Sequence, residues 1–186
     1  MRNRIVFICV LCFYLFLGCS ACGGPDAARP QGGFVLTSPA FKTGAPIPSV
    51  YTCDGSNGSP ELRWTGTPAG TKSFALLCED VSGPQRIFVH WVVWNIPSTV
   101  DHLPGKMPRT AKLADGTEQG KNDMPMWGYD GPCPPVELKN AREYVFTLFA
   151  LDLRFETGKS YSAGLLLMEM EGHVLGRAKL RGTYRR

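Results

Sequence analysis

Tyr144-Val145-Phe146-Thr147-Leu148-Phe149-Ala150-Leu151 is apolar at nearly every position and rich in aromatic and β-branched residues, which favour extended chain. Alternate side chains leave a strand on opposite faces, so a strand that is apolar at both odd and even positions needs cover on both sides. The stretch therefore reads as a central strand of a sandwich. Similar short runs precede it, at Phe34 to Thr37, Glu61 to Trp64, Ser73 to Cys78 and Phe88 to Asn95, each separated from the next by glycine- and proline-rich turns. Downstream, Ser160 to Glu171 has a helical pattern with Leu165, Leu166, Met168 and Met170, and Gly172-His173 follows as a stop. Arg177-Ala178-Lys179-Leu180-Arg181 then alternates basic and apolar, as a strand with one buried and one positive face does. The fold expected is mainly β, a sandwich with little helix.

Between these runs, Asp101 to Pro135 has few apolar pairs and many Gly, Pro, Asn, Asp and Lys residues. A connection this long inside a domain is usually functional. It ends in Gly128-Tyr129-Asp130-Gly131-Pro132-Cys133-Pro134-Pro135, whose glycines and prolines bar it from a helix or an inner strand. A stiff loop, read together with Asp80 and His90-Trp91, suggests a binding site.

The ends of the chain read differently. Met1-Arg2-Asn3-Arg4 and the apolar run Ile5 to Leu17 have the charged start and apolar middle of a secretory signal, and the run falls short of the about 20 residues that span a bilayer. Leu17-Gly18-Cys19 resembles a bacterial lipobox, with Phe16 where leucine is usual. Residues 1–18 are thus expected to be a signal peptide, with Cys19 as the lipidated first residue and Cys22, after Ser20-Ala21, as the second candidate. Residues 19–33 form a Gly/Pro/Ala tether and 34–186 one domain. The C-x-x-C pairs made by Cys9, Cys12, Cys19 and Cys22 lie in or beside the apolar leader, where a metal site would lack polar support. The formal charge of +4 falls to +2 without Arg2 and Arg4, and no nucleic-acid partner is expected. The basic tail that ends in Arg185-Arg186 reads as a charge-guarded edge strand, in preference to a contact for anionic lipid headgroups.

Many short motifs then occur in one order. They include Tyr51-Thr52-Cys53-Asp54-Gly55, Ser59-Pro60-Glu61-Leu62-Arg63-Trp64, Glu79-Asp80, His90-Trp91-Val92-Val93-Trp94-Asn95-Ile96-Pro97, Gly120-Lys121-Asn122-Asp123, Gly131-Pro132-Cys133-Pro134-Pro135 and Gly172-His173-Val174-Leu175. Together they resemble the bacterial, Raf kinase inhibitor-like branch of the phosphatidylethanolamine-binding proteins over nearly the whole domain. The resemblance implies a β-sandwich with a large antiparallel sheet, a smaller sheet and one or two short helices. It also implies a surface pocket for a small phosphate-like anion or phospholipid headgroup. Asp80, Pro84, His90, Gly131, Pro132, Pro134 and Tyr144 match the positions that build that pocket in the family. Ser82 stands where the family has a second aspartate, with Val81 before it, and Arg142 stands where it has a histidine. Both changes add positive character, so the pocket is expected to hold anions with less dependence on pH.

Each feature also has a plainer reading. Asp80 can end its strand by bonding its own backbone, and His90 can be a satisfied core residue. Cys133 invites a nucleophile reading with His90 as base, but export favours oxidation. Of Cys53, Cys78 and Cys133, the preferred pair is Cys53 with Cys133, with Cys78 buried in a strand. Asn57-Gly58-Ser59 is a formal sequon weakened by Pro60. His102 and His173 are isolated, and neither a metal nor a cofactor is expected. The functional expectation is a non-enzymatic binding module in the bacterial cell envelope, either membrane-anchored or periplasmic. An inhibitor or interaction protein with a protease or kinase-like partner stands second, and a Cys/His hydrolase third.

Overall fold

The computed structural model describes residues 33–83 and 86–186. The proposed signal peptide, Cys19 and Cys22 lie outside the described residues, and so does Pro84. Eight strands and one α-helix are present among the described residues: β1 (Val35–Thr37), β2 (Leu62–Thr65), β3 (Ser73–Asp80), β4 (Phe88–Pro97), β5 (His102–Leu103), β6 (Glu118–Gln119), β7 (Arg142–Leu151), α1 (Ala163–Glu169) and β8 (Val174–Tyr184). They form a three-stranded sheet in the order β1-β2-β5 and a five-stranded sheet in the order β6-β4-β3-β7-β8, and all strand pairings are antiparallel. The mainly β sandwich expected from the sequence is present.

The large sheet is the middle layer, which explains a strand with two apolar faces. Tyr144, Phe146, Leu148 and Ala150 of β7 join Leu36, Leu62 and Trp64 of the small sheet in one core. Phe149 and Leu151 point the other way, into a second core closed by Phe155, Tyr161 and Leu166. β7 lies between β3 and β8 and is therefore interior, although β3 holds the middle place.

The helix is shorter than the sequence pattern suggests. Ser162 is its N-cap, and its hydroxyl accepts a hydrogen bond from the Leu165 N–H at 3.3 Å, so Ser160 and Tyr161 stay outside. β8 forms the edge of the large sheet and carries Arg177, Lys179 and Arg181 on one face, in line with the guarded-edge reading. The chain enters beside the start of β8. A side chain at Gly176 would meet the Phe34 ring at 3.5 Å.

Two tryptophans fix β6 to β4 and so hold the long connection in place. Gln119 Oε1 accepts from Trp91 Nε1 at 2.8 Å, and Glu118 Oε2 accepts from Trp94 Nε1 at 2.9 Å. The Gln119 amide also donates to the Pro108 and Thr110 carbonyls, each at 2.8 Å. Buried tryptophan N–H groups need such partners. Phe146 is fully buried between the layers. Phe146→Ala is expected to lower the unfolding free energy by about 3–5 kcal/mol, read from urea denaturation.

Candidate ligand-binding site

The site forms where the inner face of the large sheet runs past the small sheet. Asp80 ends β3 directly opposite Phe88 of β4 and Tyr144 of β7, so all three side chains share a face. Arg142 precedes Tyr144 by two residues and shares that face as well. His90 arrives there through a bulge. Glu79 pairs with Val89 but Cys78 pairs with Trp91, and the extra residue turns His90 and Trp91 toward the same side. Trp91 enters the core, while His90 faces the open end.

The opposite wall is the glycine- and proline-rich loop. Asn57 holds it twice, with its Nδ2 donating to Asp130 Oδ1 and its Oδ1 accepting from the Gly131 N–H, both at 2.7 Å. Tyr129 donates its hydroxyl to the Tyr51 carbonyl at 2.8 Å, and the Cys53 N–H donates to the Pro132 carbonyl at 3.1 Å. A Cys53–Cys133 disulfide joins the same two segments, and among the described residues Cys78 is the one free cysteine, buried in β3. The preferred pairing is therefore present. Cys133 has no thiol to act as a nucleophile. Gly131 is required because a Cβ there would lie 2.2 Å from the Tyr51 carbonyl oxygen. Asn57 is thus engaged through both amide atoms in holding the loop.

These walls enclose a pocket of about 430 Å³. Asp80, His90, Gly131, Pro134, Arg142 and Tyr144 line it as the resemblance implied. Pro132 does not line it: its carbonyl is committed to Cys53, and the residue is buried behind the wall. Phe88, Met124 and Asp130 line it without having been singled out as ligand residues. Phe88 was legible, since it stands two residues before His90 on a predicted strand. Asp130 lay within the loop motif, and nothing in the sequence marked Met124.

Asp80 combines both of its readings. Its Oδ1 accepts from the Ser82 N–H at 2.9 Å, ending the strand, while its Oδ2 lies 2.5 Å from Arg142 Nε. The Arg142 Nε–H is not aimed along that contact, so the pair is ionic without a well-directed hydrogen bond. Ser82 accepts from the Glu143 N–H through its hydroxyl, and so ties β3 to β7 where the family has a second carboxylate. The positive charge gained at Arg142 is thus largely balanced by Asp80, and the pocket is less cationic than the substitutions alone suggested. Asp130 has Asn57 and, at 3.5 Å, Arg109 as partners.

His90 Nδ1 lies 2.7 Å from the Asp130 carbonyl oxygen. A carbonyl only accepts, so Nδ1 carries the proton and Nε2 is left as an acceptor in the neutral ring. Burial lowers the His90 pKa, opposed by the Asp130 carbonyl and the charges of Asp80, Asp130 and Asp123. Burial and the charge of Asp80 raise the Tyr144 phenol pKa, which keeps it a donor. Among the described residues, no three His, Cys, Asp or Glu side chains gather as metal ligands. His102 and His173 lie instead beside Asp101 and Asp152, at 3.0 and 2.8 Å.

The geometry is that of a β-sandwich with a pocket at the end of its large sheet. The family model for phosphatidylethanolamine-binding protein matches residues 37–185, and the chain belongs to that family. It is 46% identical to a UPF0098 protein of Methanothermobacter thermautotrophicus over 151 residues, which covers 81% of this chain and 98% of that one. A UPF0098 protein of Aquifex aeolicus is 39% identical, over 83% of this chain and 91% of its own length. Among solved structures, Escherichia coli YbcL, described as a new member of the mammalian family, superposes with a TM-score of 0.76 at 34% identity, covering 83% of this chain and 99% of that one. A family homologue from Chlamydia trachomatis gives 0.74 at 33% identity, with 83% and 98% covered.

The lowered His90 pKa has a defined effect on stability. In the unfolded chain the imidazole titrates near its ordinary value of 6.5, so as pH falls the unfolded state takes up the proton first. The contribution is therefore present above that value and is lost as pH falls through the lower folded value. Urea unfolding between about pH 7.5 and 5 should show a steeper loss for the wild type than for His90→Gln.

Proposed function

We propose that this protein is a non-enzymatic, exported binding module that captures a small anionic or phosphorylated group in the pocket between β3, β7 and the Gly131–Pro135 loop. One juxtaposition carries the reading: the Arg142 guanidinium and the His90 ring face one enclosed space whose other walls are aromatic and proline surface. Arg142 supplies charge-assisted donors, and Tyr144 supplies a neutral one. His90 Nε2 accepts, which suits a phosphate monoester or monoanion that still carries an O–H. Asp80 holds Arg142 in place and offsets its charge, so a ligand that brings its own cation to Asp80 fits better than a bare polyanion. The leader and lipobox support placement at the bacterial cell envelope, anchored through Cys19.

Phosphate and phosphoethanolamine titrations followed by calorimetry test the pocket. Arg142→Ala should weaken both by about 10- to 150-fold, the value of a hydrogen bond to a charged group. Asp80→Asn should tighten inorganic phosphate by freeing Arg142, yet weaken phosphoethanolamine relative to it. If neither probe binds the wild type, the reading fails. The mass of the chain recovered from the membrane fraction should begin at Cys19 with a diacylglyceryl group, and Cys19→Ala should abolish this species.

A further inference from the structure

We propose that the outer side of α1, with the start of β8, is an apolar lipid-contact surface that rests on the membrane to which the chain is tethered; this rests on the envelope placement above. Ala163-Gly164-Leu165-Leu166-Leu167-Met168-Glu169 is apolar in every residue but the last. A helix that is apolar all round is normally covered all round. Here only one side is covered: Ala163 and Leu166 enter the second core, while Leu165, Leu167 and Met168 are 36, 43 and 72% exposed. Met168 is the most exposed large apolar side chain among the described residues. At about 100° per residue, Leu167, Gly164, Met168 and Leu165 follow one another around the outer side with no polar side chain between them. Leu167 also lines a cleft of about 230 Å³ with Phe149, Met170 and Val174, and the next residue of β8, Leu175, is 41% exposed.

Where the chain enters the domain points to lipid as the occupant. A side chain at Gly176 would meet the Phe34 ring at 3.5 Å, and Gly176 directly follows Leu175. Residues 19–33 extend to at most about 50 Å, so an anchor at Cys19 presents this end of the domain to the membrane. Contacts joined by a tether are intramolecular, and weak ones then suffice. A second copy of the chain fits less well, since four partly exposed side chains fall far short of the roughly 800 Å² per partner in a stable interface. The charges beside the patch cancel, with Lys159 on Glu169 at 3.1 Å and Glu171 sharing the cleft with Arg177. The contact is therefore apolar and needs no anionic lipid. Its placement also bears on the pocket. Tyr144 of the pocket and Leu166 of α1 lie on opposite faces of the large sheet, toward opposite ends of β7, whose ten residues span about 30 Å. Lipid against α1 thus leaves the pocket on the far side, where its ligand is taken from solution.

Reporter tryptophans in the anchored chain test the contact on vesicles of phosphatidylcholine brominated in its acyl chains. The native Trp64, Trp91 and Trp94 are at most 2% exposed, and Trp127 is common to every variant. The emission added by Met168→Trp should be quenched, and that added by Val136→Trp, on the turn after the pocket loop, should not. Adding Leu165→Asp and Leu167→Asp to Met168→Trp should abolish the quenching while the chain stays on the vesicles. Leu165→Asp alone is read if the pair lowers the urea midpoint. Quenching at position 136 alone, at neither position, or only once phosphatidylglycerol is added overturns the proposal. So does a concentration-dependent mass in sedimentation that Met168→Asp abolishes, which gives the face to a second copy. A chain without lipid at Cys19 sinks the anchoring reading separately. The same variants are then held on nickel-chelating lipid by a polyhistidine tag at the N-terminus, and quenching at 168 but not at 136 is still required.

Discussion

The extra residue at His90 in β4 is the constraint on which both core and pocket depend. A regular strand would send His90 and Trp91 to opposite faces, so that one of them had to leave the inner side of the large sheet. The bulge between Cys78 and Glu79 lets both face inward. Trp91 is then fully buried and bonded to Gln119, which holds β6 and the long connection. His90 closes the end of the same face and binds the Asp130 carbonyl, which sets the height of the loop wall. One local irregularity thus fixes two layers and one cavity.

The loop wall is held by several unlike contacts. Asn57 binds it through both amide atoms, Tyr129 through its hydroxyl, Cys53 through a covalent bond and a backbone hydrogen bond, and Gly131 by the absence of a side chain. Such overlap costs the chain little further entropy when a ligand arrives, because the wall is already ordered. Met124, on the facing side, is held only at its backbone, where its N–H donates to Asn122 Oδ1 at 2.9 Å. Its side chain is exposed and has three flexible bonds, so one lip of the pocket is adaptable and the other is not.

Much of this was legible in the sequence. The two apolar faces of Tyr144 to Leu151 carried the layer arrangement, and the proline loop with Asp80 and His90 marked the pocket. The long connection hid β5 and β6, because two-residue strands leave no period to read. The helix was overrun because Ser160 and Tyr161 fit a helical pattern while Ser162 competes as a cap. The family resemblance put Pro132 in the pocket, but a match of motif does not say which side of the loop each proline faces in this chain. The pairing of Asp80 with Arg142 was the largest omission. Those residues are far apart in the chain, and only the antiparallel register of β3 and β7 shows that a gained cation meets an existing anion.

That pairing also bears on how a ligand finds the site. Two opposite charges in contact produce a dipolar field that fades over a few ångströms, well inside the Debye length of about 8 Å at physiological ionic strength. The pocket therefore exerts little pull on a free anion in bulk water and gains no long-range steering. Encounter with a free anion then depends on its local concentration, without help from a long-range field. The ion pair leaves short-range shape and hydrogen-bond geometry, and not net charge, to decide what the pocket can hold.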